Sequence, residues 1–394
     1  MTEQPTPIHA RHDFYVPAFE LKVGGRSLER DVIRDVLSVS YTDSLDKLDA
    51  AEITLNNWDA DRRALKYSDP RTTPVNLDPG AEIELYMGYH DRGGLTLMLR
   101  GQIVSLAPDF PAAGQPTIQV RALNQLYKLH YKQEVQVYTD KTDSQIAQAV
   151  LDRIAQEASA PRGGGGRPAL NLELVTRSAN RSEEPHGYIV INNDYPIIFL
   201  MERARHNGYD IFIEEAAENG RATSKLHFHP PDRGAPAVYE LTYGQTLISF
   251  KPALKTKAQV AKVTVRGWNP ARKREIVGEA TWDDLDIRGL PSAEDMAAVD
   301  AALAGSEEVV ADAPVESEAE ARRQAQAHLA HLAKDLVSGS GSTVGLPELR
   351  AGRPVYIRGL GSRFSGRYLV TSSAHTIDDC GYLTQFEARM EELK

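Results

Sequence analysis

The chain has a single cysteine, Cys380, so no internal disulfide can form and the fold does not depend on an oxidising compartment. It also lacks any excess of positive charge: 45 Lys and Arg against 55 Asp and Glu leave a net charge of −10. That balance argues against sequence recognition of nucleic acid, which needs a basic face for the phosphates. The basic stretches Lys251–Lys262 and Arg272–Arg274 read as solvated faces. Long apolar runs are missing too. The longest lies near Pro196–Met201, far short of a membrane span. The N-terminus, MTEQPTPIHARHDF, has no basic-then-apolar leader pattern. These absences lead to the expectation of a protein made and folded in a cytoplasm. No G-x-S-x-G occurs, and the Gly163–Gly166 run is not followed by Gly-Lys-Ser/Thr, so it reads as a flexible connector and not a phosphate cradle.

What is present is ordinary globular sequence in quantity. With 394 residues, 41% hydrophobic and 25% charged, the chain is long enough for two or three domains. A polar arm is expected at residues 1–14. Alternating stretches such as FELKV, VLSVSY, AEIELYMGY and PTIQVRAL then predict an all-β region over 15–135. Over 136–235 the period changes to an α+β insert. Thr142 and Gln145 form a capping box before the stripe Ile146, Val150, Leu151 and Ile154. A second helix should be capped by Asp194, carry Pro196 in its first turn and end at Gly208. Strands return over 236–394. Within that region, 287–316 is acidic and poor in large apolar residues, which predicts a mobile loop. A helix is expected at 317–338, capped by Ser317 and stopped by Gly339 and Gly341. The fold class is therefore mainly β with an α+β insert.

The stretch Gly359–Asp378 gathers Ser373, His375 and Asp378, the residue types of a hydrolytic triad. Triads are defined in space and seldom by proximity in sequence. The local pattern is that of a strand. Ser373 and His375 share one face, while Asp378 falls beyond it in a turn with Asp379, Cys380 and Gly381.

Two segments repeat one another. The first starts at Leu77 and the second at Leu349. Both open Leu-x-x-Gly (Gly80, Gly352), continue through a glycine and a strand ending in serine (Gly101 to Ser105, Gly366 to Ser372), and turn at Gly114 and Gly381. Thr117 and Thr384 follow, and then Arg121 and Arg389. The repeat implies two related β-domains flanking the insert.

These residues resemble a known family. The tail LRAGRPVYIRGLGSRFSGRYLVTSSAHTIDDCGYLTQFEARM, the middle NNDYPIIFLMERARHNGYDIFIEE and the junction ALNQLYKLHYKQEVQVYTDKTDSQIAQAVLD resemble the late-control D family, the baseplate hub proteins of contractile phage tails. That family is related to the hub part of type VI spike proteins. The resemblance spans roughly residues 15–285 and 317–394. It implies two tube-protein-like β-barrel domains per chain and a homotrimer that joins a sixfold tail tube to a threefold spike. It implies as partners an inner tube protein or tube initiator above, a separate spike protein below, and baseplate wedge or LysM-type proteins alongside. Because the sequence stops at Lys394, the spike tip is expected on another polypeptide. The particle would be assembled in a bacterial cytoplasm.

The alternative is a cell-wall-degrading or metal-dependent hydrolase on a β scaffold, and its candidates are weak. His328, His331 and Asp335 share a helical face that reads as solvated. His227 and His229 share a strand face that reads as surface. Glu183-Glu184, Glu214-Glu215 and Asp283-Asp284 are adjacent carboxylates, which point apart on a helix or strand. No catalytic, cofactor-binding or metal-ligating residues are assigned, and the chain is expected not to be an enzyme.

Overall fold

The computed structural model describes all residues except 1–7, 9–12, 15, 70–72, 91–93, 160–169, 177–182, 219–220, 231–234, 270–271, 286, 289, 312–314, 316 and 394. The connector expected at Gly163–Gly166 and most of the expected N-terminal arm therefore lie outside the described residues. Phe14, at the end of that arm, meets the edge of the Tyr89 ring, with centroids 5.1 Å apart.

Six strands of seven or more residues make up most of the first β-region: β1 (Pro17–Val23), β2 (Val36–Ser44), β3 (Ala50–Asn56), β4 (Glu82–Tyr89), β5 (Leu95–Asp109) and β6 (Thr117–Asn124), with a short helix α1 (Arg30–Asp35) before β2 and the two-residue strand Arg26–Ser27 beside β1. The insert contributes β7 (Glu134–Lys141), α2 (Asp143–Ser159), β8 (Glu173–Val175), β9 (His186–Asp194), α3 (Pro196–Asn207), β10 (Asp210–Glu218) and β11 (Arg221–His229). The remainder comprises β12 (Glu240–Thr242), β13 (Ser249–Leu254), β14 (Lys262–Asn269), β15 (Arg274–Thr281), α4 (Ala293–Leu303), β16 (Glu307–Val310), α5 (Glu318–Ala333), β17 (Val337–Val344), β18 (Pro354–Arg358), α6 (Gly361–Phe364), β19 (Gly366–Asp378) and β20 (Gly381–Met390).

Alternation decides which face each strand buries. In β6 and β20 every second residue is buried, as a strand with one face on a core requires. The first set is ordered β2-β3-β6-β5-β4-β1 and the second β13-β17-β20-β19-β18-β12. The two orders are the same. Only the last pair differs: β1 runs antiparallel to β4, and β12 runs parallel to β18. Both sets lie within one 13-stranded sheet, because β19 also pairs with β2. Each set covers its own core, one built on residues such as Tyr41, Leu85, Leu99 and Ile103, the other on Tyr239, Val355, Tyr368 and Phe386.

The repeat extends to backbone detail. β5 bulges between Ile103 and Ser105 against β6, and β19 bulges between Val370 and Ser372 against β20. Gly80, at φ 96°, donates its N–H to Ile103 at 2.7 Å; Gly352, at φ 80°, donates to Val370 at 2.9 Å. Both glycines occupy left-handed backbone that a side chain would strain. The bulges correct the sequence alignment. They place Gly101 opposite Tyr368, not Gly366, in the comparison, and Arg121 opposite Glu387, not Arg389.

The insert packs α2 and α3 over its strands around Ile146, Val150, Ile154, Leu200 and Phe228. The Thr142–Gln145 capping box forms, with reciprocal bonds of 3.1 and 3.3 Å. Pro196 opens α3 and Gly208 ends it at φ 69°, but Tyr195 and not Asp194 is the capping residue.

Two expectations fail. Among its described residues the acidic segment 287–316 is not all loop: it holds α4 and the strand β16, which pairs in parallel with β14. Its few apolar residues suffice because Val299 and Leu303 fall on one helical face, and with Leu290 they enter the second core. The helix expected at 317–338 ends at Ala333. Gly339 and Gly341 do not stop it; they lie in β17 beneath Phe250, where a Cβ at either would come within 2.7 Å of the ring.

Candidate functional site

The two strand sets meet where β19 outruns its partner β18. Beyond its bulge, Ser372–Ile377 has a free edge, and β2 takes it through pairs from Ser372↔Ser44 to Ile377↔Val39. Ser373, His375 and Ile377 point inward and are buried. A polar network fills the space behind them. Asp43 Oδ1 accepts the Ser373 hydroxyl at 2.5 Å and its backbone N–H at 3.0 Å. Arg350 reaches across to Asp43 Oδ2 at 3.2 Å, to the Tyr41 hydroxyl, and to the carbonyl oxygens of Leu97 and Met98 on β5 at 3.3 and 2.9 Å. One guanidinium thus ties the loop before β18 to two strands of the other set. Its planar fork donates to four acceptors at once, more than the three N–H groups of a lysine could serve.

Burial sets the charges here. It is the chief reason that the His375 imidazole titrates low, at about 4. It also pushes the Asp49 carboxyl up to about 8, with the nearby charge of Asp43 adding to the effect.

The network brings together Ser373 and His375, but not as a nucleophile and its base. The Ser373 hydroxyl donates to Asp43, so it accepts from His375 Nε2 at 3.0 Å. A neutral ring protonated at Nε2 also reaches the Leu349 carbonyl at 3.2 Å, while Nδ1 accepts from the hydroxyls of Tyr382 and Thr384 at 3.0 and 3.1 Å. A triad needs the reverse polarity, with the ring taking the serine proton and a carboxylate behind the ring. Asp378 is elsewhere: it is the last residue of β19 and not beyond the strand as expected, and its side chain accepts the Cys380 N–H at 2.8 Å. His375 is 0% exposed, so substrate has no approach to it.

The other candidates also resolve into local contacts. His227 and His229 do share a face, 3.0 Å apart, but they are buried and not on the surface. His227 stacks on Phe212 and contacts Glu214 at 2.9 Å; Glu214 in turn pairs with Arg353. Glu215 points to the opposite face and accepts from Ser224 at 2.6 Å. His328 pairs with Glu308 at 2.9 Å. Glu183 accepts from Ser144, and Glu184 pairs with Arg323. Asp284 bonds back to the Thr281 N–H at 2.9 Å. Among the described residues, the one close grouping of possible metal ligands is the exposed Asp378, Asp379 and Cys380 turn.

Sequence reasoning missed Arg350 and Asp43. Arg350 occupies the repeat position held by Asp78 in the first copy, a charge reversal inside an otherwise similar motif, which is the signal that marks it. Across the joint runs a groove of about 1130 Å³, lined largely by polar residues of β2, β17, β19 and β20, among them Thr42, Ser340, Ser342, Ser372 and Gln385.

The sequence matches the model for the Alg8 N-terminal domain over residues 14–162 and 179–379. The chain belongs to that family. No curated protein matches it. Among solved structures, the fold is similar to a 43 kDa tail protein of prophage MuSo2 from Shewanella oneidensis, at 14% identity, with 94% of this chain and 98% of that one covered and a TM-score of 0.65. It is similar to a tail protein from Neisseria meningitidis MC58, at 12% identity, 95% and 96% coverage and a TM-score of 0.61. A third likeness is to an E. coli component of the type VI secretion system, itself described as similar to T4 tail proteins gp27 and gp5, at 13% identity, 93% and 76% coverage and a TM-score of 0.52. The mainly β architecture of this family member is thus that of phage tail proteins. Among the described residues no helix is long and apolar enough to cross a membrane.

Proposed function

We propose that the chain is a structural baseplate hub of the late-control D type, joining a sixfold inner tube to a threefold spike in a contractile phage tail or injection system. The observation that carries this reading is the doubled strand set. Two units with the same strand order, the same bulge and the same positive-φ glycine let one chain occupy two neighbouring places in a ring. Three chains then supply six places, and a closed cyclic trimer meets a sixfold partner on one face. The polar groove across the joint suits a channel wall that passes cargo without holding it. In this reading the chain is not an enzyme, is assembled in the bacterial cytoplasm, and has the tube and spike proteins as its principal partners. The test is the mass of the purified chain by light scattering over a concentration series, with and without the tube protein. A trimer that the tube protein stabilises is expected. A stable hexamer would contradict the reading.

A further inference from the structure

The joint inside the chain uses one edge from each strand set, and among the edges that remain one of each set matches a half of that joint. These matching edges are the outer half of β5 and the strand β13. β4 covers β5 only as far as Gln102, so the ladder beyond the bulge is bonded on the β6 side alone. β13 pairs with β17 and, among the described residues, with no other strand. The repeat says what these edges correspond to. The bulges match Ile103 with Val370, so Ser105–Phe110 corresponds to Ser372–Ile377. In the ladders, Ala122 faces Ala51, which faces Tyr41, and Ala388 faces Gly339, which faces Pro252. β13 therefore corresponds to β2, with Pro252 in the place of Tyr41. These two edges are the counterparts of the two halves of the internal joint.

We propose that β13 of one copy pairs antiparallel with the outer half of β5 of a second copy, in the register of the β19–β2 joint. This rests on the hub reading above and names the contact that would close the ring. Carrying the observed register across puts Leu106 opposite Leu254, Asp109 opposite Lys251 and Phe110 opposite Phe250. Opposite charges and apolar pairs thus fall on facing positions without adjustment, as a cross-strand contact requires. Phe110 is 59% exposed, whereas its counterpart Ile377 is 8% exposed within the first core. An aromatic ring left on a free strand edge is a surface awaiting cover. Its partner site is prepared: Phe250 stacks on Phe386, with centroids 6.0 Å apart, and packs edge-on to Tyr368 at 5.3 Å. Pro108 falls opposite Pro252, and neither has an N–H to give. The contact is therefore held less by backbone bonds than the internal joint is, and more by side chains. The same prolines blunt both edges against pairing in other registers.

The test is a designed disulfide. In a Cys380→Ser background, which removes the sole cysteine, Ala107→Cys and Ala253→Cys are combined in one chain. These positions fall opposite each other in the proposed register, within disulfide reach. Under oxidation a covalent closed trimer is expected on a denaturing, non-reducing gel. The displaced pair Ser105→Cys with Ala253→Cys should give none. As a second measure, Asp109→Lys should weaken self-association about twofold to fivefold, and adding Lys251→Asp should restore it. A trimeric mass without cross-linking at the matched pair would overturn the register and leave the hub reading standing. A chain that stays monomeric and uncross-linked even with the tube protein present would overturn both.

Discussion

Arg350 and Asp43 form an ion pair at 3.2 Å across the joint between the two strand sets, with only 12% and 5% of their side chains exposed. Removing one partner of a buried pair strands the other charge. Arg350→Met should cost about 3–5 kcal/mol in urea unfolding. Adding Asp43→Asn to that variant should recover part of the loss, because the stranded carboxylate is gone. Equal losses in the single and double variants would mean that the pair does not hold the joint.

The His375 ring titrates at about 4 when folded, below its unfolded value, because it is buried. The unfolded chain therefore binds the extra proton between about pH 6.5 and 4. The stability this ring contributes is full above pH 6.5 and is lost as pH falls toward 4, on the order of 3 kcal/mol in all. His375→Gln should flatten the unfolding free energy over that window relative to the parent. An unchanged slope would contradict the assignment. Neither this change nor Ser373→Ala should abolish a specific activity while stability and assembly stay normal.

Gly80 and Gly352 share a backbone role but not their surroundings. A Cβ at Gly80 meets nothing within 4 Å, while one at Gly352 comes within 3.2 Å of the Phe212 ring. Gly80→Ala should cost about 1 kcal/mol, the strain of a side chain at positive φ. Gly352→Ala should cost more by thermal denaturation, since Phe212 must also shift. The opposite ranking would count against equivalent roles.

Replacing residues 287–316 with a Gly/Ser linker should destabilise the protein. Leu290, Val299 and Leu303 are within 6% of full burial and belong to the second core. Leu303→Ala alone should cost about 2–5 kcal/mol. A linker variant that melts at the parent temperature would show that α4 is peripheral.

The alternation of β6 and β20, the Thr142 cap and the Pro196–Gly208 helix were legible because each depends on neighbours in sequence. The repeat was legible through Leu-x-x-Gly, yet its register was not, since a bulge adds a residue without a marker in the sequence. Composition hid α4: two apolar residues four apart bury a helix that a residue count reads as loop. The joint was illegible because Asp43 and Ser373 become neighbours only when β19 outruns β18.

The most direct test of the hub account is an electron cryo-microscopy reconstruction of a tail or injection particle at the junction of tube and spike. The account predicts three copies of this chain, with six superposable strand sets around the axis and their polar groove facing the channel. Six copies there, or three copies whose two strand sets do not superpose in equivalent positions, would contradict it.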